Sequence, residues 1–431
     1  MTGREAALSA LIKTETTDGY SNLVLDSLFS SADMTDKEKA FAARLFYGCL
    51  ERRVTIEYTI SKYASVPIKK MERKVLMLLI MGLYQIFYMD SVPSSAAVNE
   101  TVRLAGKQSR GFINAVLRRA VREGGKPLMP EEKDPAYLSV KYGVPKPLCD
   151  FWRKAYGGET LLQILEGVTG REDGIFVKIN TLKISPEDFL SRLKQLEIPA
   201  VLDKEYPDCA VIGTGIAEHH PLVREGLIHV QDRSCRVCCS AVDPKPGERI
   251  FDMCAAPGGK SFTLAQMGGP DSRIFSFELH QNRTGLIRQG MERLELGNIT
   301  PKTNDATLFD PSLGLADKVL CDVPCSGLGV IGKKPEIRFK ALEQFASLPE
   351  LQLRILKTSA QYVRPGGLLV YSTCTLNPAE NEDVCHSFLA EDGEFVPHPI
   401  SVAQGEYMKT IIPDGRQDGF FFATFRKKAE S

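Results

Sequence analysis

The sequence predicts a chain of several domains: all-α at its start, a small α+β module in the middle, and an open, mostly parallel α/β sheet at its end. Three observations predict it. The 431 residues are enough for roughly two or three domains at ~150 residues each. Before residue 125 apolar residues recur at helical spacing and no stretch alternates as a strand would. After residue 245 short apolar runs alternate with helical segments, the pattern of β-α-β units.

Composition narrows the class further. Lysine plus arginine and aspartate plus glutamate both number 54, so bulk charge alone does not hold this molecule on nucleic acid. The balance hides an asymmetry, because residues 1–125 carry 18 basic and 13 acidic side chains and the remainder is acidic by the same margin. The apolar content and the ordinary Gly and Pro usage exclude collagen-like and disordered chains. The longest apolar run, 75–89, contains Gly82 and Gln85 and is shorter than the ~20 residues of a bilayer-spanning helix, so it is expected to be a buried helix. Glu5, Lys13 and Glu15 leave no room for the apolar core of a secretory signal, so a cytoplasmic location is expected. The 11 cysteines, odd in number and without framework spacing, are then expected as reduced thiols.

In the N-terminal region, 75–88 is apolar nearly all round, as the central helix of a bundle would be. Pro93, Ser94 and Ser95 predict a turn and an N-cap, followed by Val98, Val102 and Ala105 at helical spacing. A further helix is expected after Gly111, with Phe112, Ile113, Val116, Leu117, Ala120 and Val121 on one face and Arg118, Arg119 and Arg122 pointing elsewhere. Ten basic residues between Lys69 and Arg122 stand against only Glu72, Asp90 and Glu100, which makes this region a candidate phosphate-binding surface that includes those three arginines. Residues 124–147 are dense in Gly and Pro, so the expected division is 1–125 helical, 126–147 linker, 148–235 a small α+β module and 236–431 a catalytic α/β domain. The module is expected to hold a helix over 152–165, a strand over 175–179 and a helix over 186–196.

In the last domain the best strands are 249–253, 273–277, 318–321 and 368–371. Asp252, Glu278 and Asp322 end or follow the first three, and Asp305 lies between the second and third. Such sheets bind ligands beyond the carboxyl ends of their strands. After the first strand comes Cys254-Ala255-Ala256-Pro257-Gly258-Gly259-Lys260-Ser261, a tight glycine turn that lets backbone approach a ligand before a helix begins. A Walker A loop would need glycine where Cys254 stands, and the G-x-G-x-x-G dinucleotide fingerprint is missing. Glu278 lies 19 residues after Gly259, near the ~20-residue distance at which an acid takes ribose hydroxyls. The expected ligand is a nucleoside without pyrophosphate, which S-adenosylmethionine satisfies.

Two cysteines stand where chemistry would use them. Asp322-Val323-Pro324-Cys325-Ser326-Gly327 follows one strand and Ser372-Thr373-Cys374-Thr375 another, in loops where a thiol can be reached and activated. Cys49, Cys149, Cys209 and Cys385 are expected to be small buried hydrophobes. Cys235, Cys238 and Cys239 lack a second C-x-x-C and a histidine pair, so no metal is expected. Methylation of cytosine at C5 gives such thiols a purpose, since a thiolate added to C6 makes C5 an enamine-like carbon able to attack a sulfonium methyl. A carboxyl group at the N3 edge stabilises the adduct, and a second thiol assists its breakdown. N- or O-methylation would need neither.

Taken together, these motifs resemble the Nol1/Nop2/Sun family of RNA cytosine-C5 methyltransferases, most closely its bacterial 16S ribosomal RNA branch, the Sun or RsmB type. The resemblance also rests on Leu227 to Asp232, on Gly329 to Arg338 and on Asn377-Pro378-Ala379-Glu380-Asn381-Glu382. Upstream it rests on Tyr84-Gln85, Val92 to Glu100 and Phe112 to Arg119, which look like a NusB-type RNA-binding domain. It implies a class I, Rossmann-like S-adenosylmethionine-dependent methyltransferase domain and a small-subunit ribosomal RNA substrate. It further implies Cys374 as nucleophile, Cys325 in adduct breakdown, residues 254–260 with Glu278, Asp305 and Asp322 as cofactor contacts, and Lys260 with Asp322 against the cytosine. Lys178 replaces an expected arginine, and Lys340 follows Phe339 where tryptophan is common, departures expected to bear on RNA grip. The alternatives are a transfer RNA or DNA cytosine methyltransferase, a non-catalytic RNA-binding or antitermination factor, and a dinucleotide-dependent oxidoreductase, which the missing fingerprint disfavours.

Overall fold

The computed structural model describes residues 1–16, 21–170, 174–213 and 220–429. They form two compact units, residues 1–165 with 331–341, and residues 166–330 with 342–431.

The first unit is helical. Arg73–Tyr88 is its central helix, buried continuously from Val75 to Gln85, which is why that run is apolar all round. Leu45 and Phe46 of Asp36–Glu51 and Ile56 and Ile60 of Arg53–Tyr63 pack in the same core. Asp36–Glu51 starts at a capping box, the Thr35 hydroxyl accepting from the Glu38 amide while the Glu38 carboxylate accepts from the Thr35 amide. Two details depart from the sequence expectation. Ser94–Arg103 is capped by the Pro93 backbone with no side-chain bond, so the serines lie inside the first turn. Arg110–Arg122 begins before Gly111 and buries Ile113, Val116, Leu117 and Ala120, whereas Val121 is 37 % exposed because it lies past the edge of the apolar stripe.

Residues 331–341 belong to this unit although they lie far along the chain. Within it Pro335–Phe339 is a short 3-10 turn. Arg338, 3 % exposed, donates to the carbonyls of Glu51, Gly143 and Ile331, and Arg53 covers the Phe339 ring. The helix Lys146–Thr169, expected over 152–165, is longer and is interrupted at Gly157, whose φ of 82° breaks the helical path.

The second unit contains two sheets. The smaller is antiparallel in the order β2 (Ala200–Leu202), β3 (Cys209–Ile212), β1 (Ile175–Ile179), β4 (Ile228–Val230). Lys178 on β1 is 1 % exposed and bonds Gln266 at 2.9 Å and Asp208 at 3.3 Å, so it cannot grip RNA as its replacement of an arginine suggested. Asn180, fully buried, donates to the carbonyls of Gly226 and Leu294 and ties this sheet to the end of the helix Gln281–Leu294.

The larger sheet runs β10 (Phe395–Pro397), β12 (Phe420–Lys427), β9 (Val363–Thr373), β8 (Ala316–Asp322), β5 (Arg249–Asp252), β6 (Arg273–Glu278), β7 (Ile299–Thr303), with β11 (Met408–Ile411) paired to β12. From β9 to β7 the pairing is parallel, and β12 joins antiparallel. Phe251, Phe277, Val319, Leu369 and Phe421 bury one face and Ile250, Ile274, Leu320, Val370 and Phe422 the other, as a parallel sheet requires. Strand order reverses between β5 and β8, so a crevice opens beyond their carboxyl ends.

Candidate active site

Sheet register places the chemistry-bearing residues. Asp322 ends β8 opposite Ser372 of β9, so the chain beyond each strand brings Cys325 and Cys374 to the same edge. Their sulfurs are 3.3 Å apart. The Cys325 thiol is held well above the ordinary range, first by its hydrogen bond to the Cys374 sulfur, then by burial and by the negative charges of Cys374 and Glu380.

Beside the thiols, Lys260 donates to Asp322 Oδ2 at 2.7 Å and lies over the Phe420 ring, while Ser372 donates to Asp322 Oδ1 at 2.8 Å. Burial would lower the lysine, but the Asp322 carboxylate outweighs it and holds the ammonium well above its usual range. The pair can therefore present a cation and an acid together to a polar ring edge.

The turn 254–260 leaves β5 at the crevice. A side chain at Gly258, where φ is +115°, would strike the Phe262 ring, so only glycine fits this bend. The amides of Ala255 and Gly258 are used internally, on the carbonyls of Phe277 and Ala255. Gln231 supports the turn from the smaller sheet by donating to the Gly259 carbonyl at 3.1 Å, and accepts from Thr263, which also meets His229. At the root of the turn Asp252 is fully buried, takes the Ser261 hydroxyl on Oδ2 and has no partner on Oδ1. Burial pushes its carboxyl up to about 7. Glu278 ends β6 at 4 % exposure and accepts from the His280 amide and from Arg283, whose guanidinium also bonds the Ala256 carbonyl. Asp305, half-buried, holds Thr307 through both its amide and its hydroxyl.

The other cysteines sort by burial. Cys49, Cys149, Cys209 and Cys385 are at most 3 % exposed. Cys238 and Cys239 sit inside the helix Arg233–Val242, and among the described residues no group of three or more His, Cys, Asp or Glu is placed to hold a metal ion. In the first unit, Arg118 donates to Asn114, and Arg119 reaches Glu123 and the Tyr63 carbonyl from above the Tyr63 ring, while all three arginines at 118, 119 and 122 are exposed. Sequence reasoning named no role for Gln231, Ser372, Gln352 or the turn Glu380-Asn381. Gln231 and Glu380 stand within stretches that carried the family resemblance, whereas Gln352 sits in an ordinary helix with no local signal.

The helical start and the thiol-bearing sheet each match a known family. Residues 239–426 match the 16S rRNA methyltransferase RsmB/F model and residues 1–122 the NusB family. The probable ribosomal RNA small subunit methyltransferase B of Bacillus subtilis (strain 168) is 32 % identical over 445 residues, covering 99 % of this chain and 98 % of that protein. Ribosomal RNA small subunit methyltransferase B of Proteus mirabilis (strain HI4320) is 31 % identical over 409 residues, covering 92 % of each. The crystal structure of PH0851, 24 % identical, shares the fold with a TM-score of 0.81 over 99 % of this chain and 98 % of that one. A NusB-type helical domain is thus followed by a Rossmann-like, class I methyltransferase sheet. With relatives of this similarity spanning almost all of its length, the chain belongs to the RsmB/F family of 16S ribosomal RNA methyltransferases.

Proposed function

We propose that the protein transfers a methyl group from S-adenosylmethionine to C5 of a cytosine in small-subunit ribosomal RNA, with Cys374 as the attacking sulfur. The observation that carries this reading is the pair of sulfurs 3.3 Å apart beside the Lys260–Asp322 ion pair.

The residues fit the cofactor. The Gly258 bend admits close approach, and Glu278 stands at the strand end where a ribose acid is wanted. Residues 254–260, Glu278, Asp305 and Asp322 would hold it. When bound, S-adenosylmethionine supplies a sulfonium-activated methyl, taken by C5. The chain does the rest. Cys374, as thiolate, adds to C6, and the displaced electron pair moves towards C5 and the N3 edge. Asp322 and Lys260 stabilise charge at that edge. After methylation the C5 proton passes to a general base, the C5–C6 double bond re-forms, and the Cys374 sulfur leaves as a thiolate. The Cys325 thiol donates a hydrogen bond to that departing sulfur, and its elevated pKa keeps it a donor throughout. The target base is swung out of its stack to reach the crevice. Arg118, Arg119 and Arg122 supply phosphate contacts on the helical unit.

Methylation of small-subunit RNA with labelled S-adenosylmethionine tests the assignment. Cys374→Ala is expected to abolish transfer, and Cys325→Ala to accumulate an RNA–protein adduct that survives denaturation. An adduct requiring Cys325 as the attacking sulfur would reverse the two roles. Full activity in Cys374→Ala would remove the covalent mechanism, and label found only in transfer RNA or DNA would move the substrate.

A further inference from the structure

Behind the two thiols lies a fully buried acid. Glu380 is fully buried on the short turn Pro378–Glu380, and the donors on its carboxylate are all uncharged. The Ser326 amide donates to Oε2 at 2.8 Å, the Gln352 amide nitrogen to the same oxygen at 2.9 Å, and Asn377 to Oε1 at 2.8 Å, where the Ser326 hydroxyl also arrives. Ser326 is the residue after Cys325, and Gln352 donates as well to the carbonyl of Pro324, the residue before it. Glu380 thus holds the Cys325 loop directly at Ser326, and through Gln352 at Pro324.

Its neighbour grips the other loop. Asn381, also fully buried, accepts the Thr373 hydroxyl at 2.6 Å and donates to the Thr375 carbonyl at 3.0 Å, the two residues that flank Cys374. The Ser326 and Thr375 hydroxyls, 2.6 Å apart, close the ring between the loops, and the Tyr371 hydroxyl pins the turn by donating to the Glu380 carbonyl. A buried carboxylate with this many donors is an acceptor hub whose removal leaves several of them unpaired at once.

We propose that Glu380 and Asn381 are positioning residues that hold the two thiol loops in fixed register, Glu380 the Cys325 loop and Asn381 the Cys374 loop, so that Cys325 meets the Cys374 sulfur when it leaves the ring. The proposal rests on the two-thiol reading above. Loss of Glu380 should then mimic loss of Cys325, because it acts through that thiol.

Turnover and adduct formation by the full-length enzyme, with small-subunit RNA and labelled S-adenosylmethionine, separate the possibilities. Glu380→Gln is expected to lower kcat by about tenfold or more, to leave KM for S-adenosylmethionine within about twofold, and to raise the fraction of enzyme trapped on RNA. The double variant Glu380→Gln with Cys325→Ala is expected to be no slower than Cys325→Ala alone, as for residues acting through one group. Gln352→Met, which withdraws a donor from both Glu380 and Pro324 but keeps the acid, is expected to trap adduct to a smaller degree, and it decides by the same readings should Glu380→Gln not fold. Adduct levels at the wild-type value in these variants, or fully additive losses in the double variant, overturn the proposal. If Cys325→Ala itself traps nothing and Cys374→Ala remains active, it is the two-thiol reading that has failed.

Discussion

Asp252 is a fully buried acid, and such a group makes stability depend on pH. Burial raises its folded value to about 7 from an ordinary 3.8, so the folded state binds the proton more tightly than the unfolded one. Stability from this group is intact below about pH 4, is lost as pH rises through about 7, and stays lost above. Asp252→Asn has no proton to lose, so its Tm relative to wild type is expected to climb across that window and then level. A gap that stays constant from acid to neutral pH would show that Asp252 does not carry the penalty. At this scale the sequence was informative about residue type and poor about environment. Cys374, Cys325 and the acids at strand ends stand out because few residues can do their chemistry, yet the sequence cannot show that Lys260 and Asp322 face each other at 2.7 Å. Nor can it show that Lys178 is internal, since a lysine reads as surface until Asp208 and Gln266 are folded around it.

Strands and helices were largely legible where burial imposes a period. The strand at Ile175–Ile179 agrees with its expected limits, and the strands at Arg249–Asp252 and Arg273–Glu278 agree to within a residue, because Gly, Pro and charged residues punctuate them. The strand Val363–Thr373 extends well beyond its apolar run, since pairing with β8 and β12 orders residues that propensity alone leaves undecided. Cap signals overlap at Ser94, where Pro93 and not a serine caps the helix, whereas Thr35 and Glu38 spell a readable capping box. Long-range docking leaves no local mark. The 3-10 turn Pro335–Phe339 looks like a polar loop, yet its Arg338 is buried among three carbonyls, and burial pulls the guanidinium down to about 10. Arg338→Met is expected to cost about 3 kcal/mol or more, because it strands those acceptors without solvent. Denaturant unfolding measures this, and a loss below about 1 kcal/mol would mean that water replaces the guanidinium.

Over the whole molecule the even charge balance conceals a basic helical start and an acidic remainder. Arg118, Arg119 and Arg122 are exposed, though Arg119 already shares its charge with Glu123. Replacing all three by glutamine is expected to weaken RNA binding and to flatten the dependence of log K on log salt by about two, since each lost phosphate contact removes ~0.7–0.9. An unchanged slope would place the RNA elsewhere. The helical character of the start was readable from periodicity, but the path of the chain was not, because no composition shift marks 331–341 as belonging with the first unit. That path has its own consequence. The polypeptide leaves the catalytic sheet six residues after Cys325, is stitched through the helical unit by Arg338, and returns before the helix Leu348–Ala360. No single cut of the backbone can release either half intact, so a gene rearrangement with one breakpoint cannot trade the helical unit for another without tearing out a strip of chain just past Cys325.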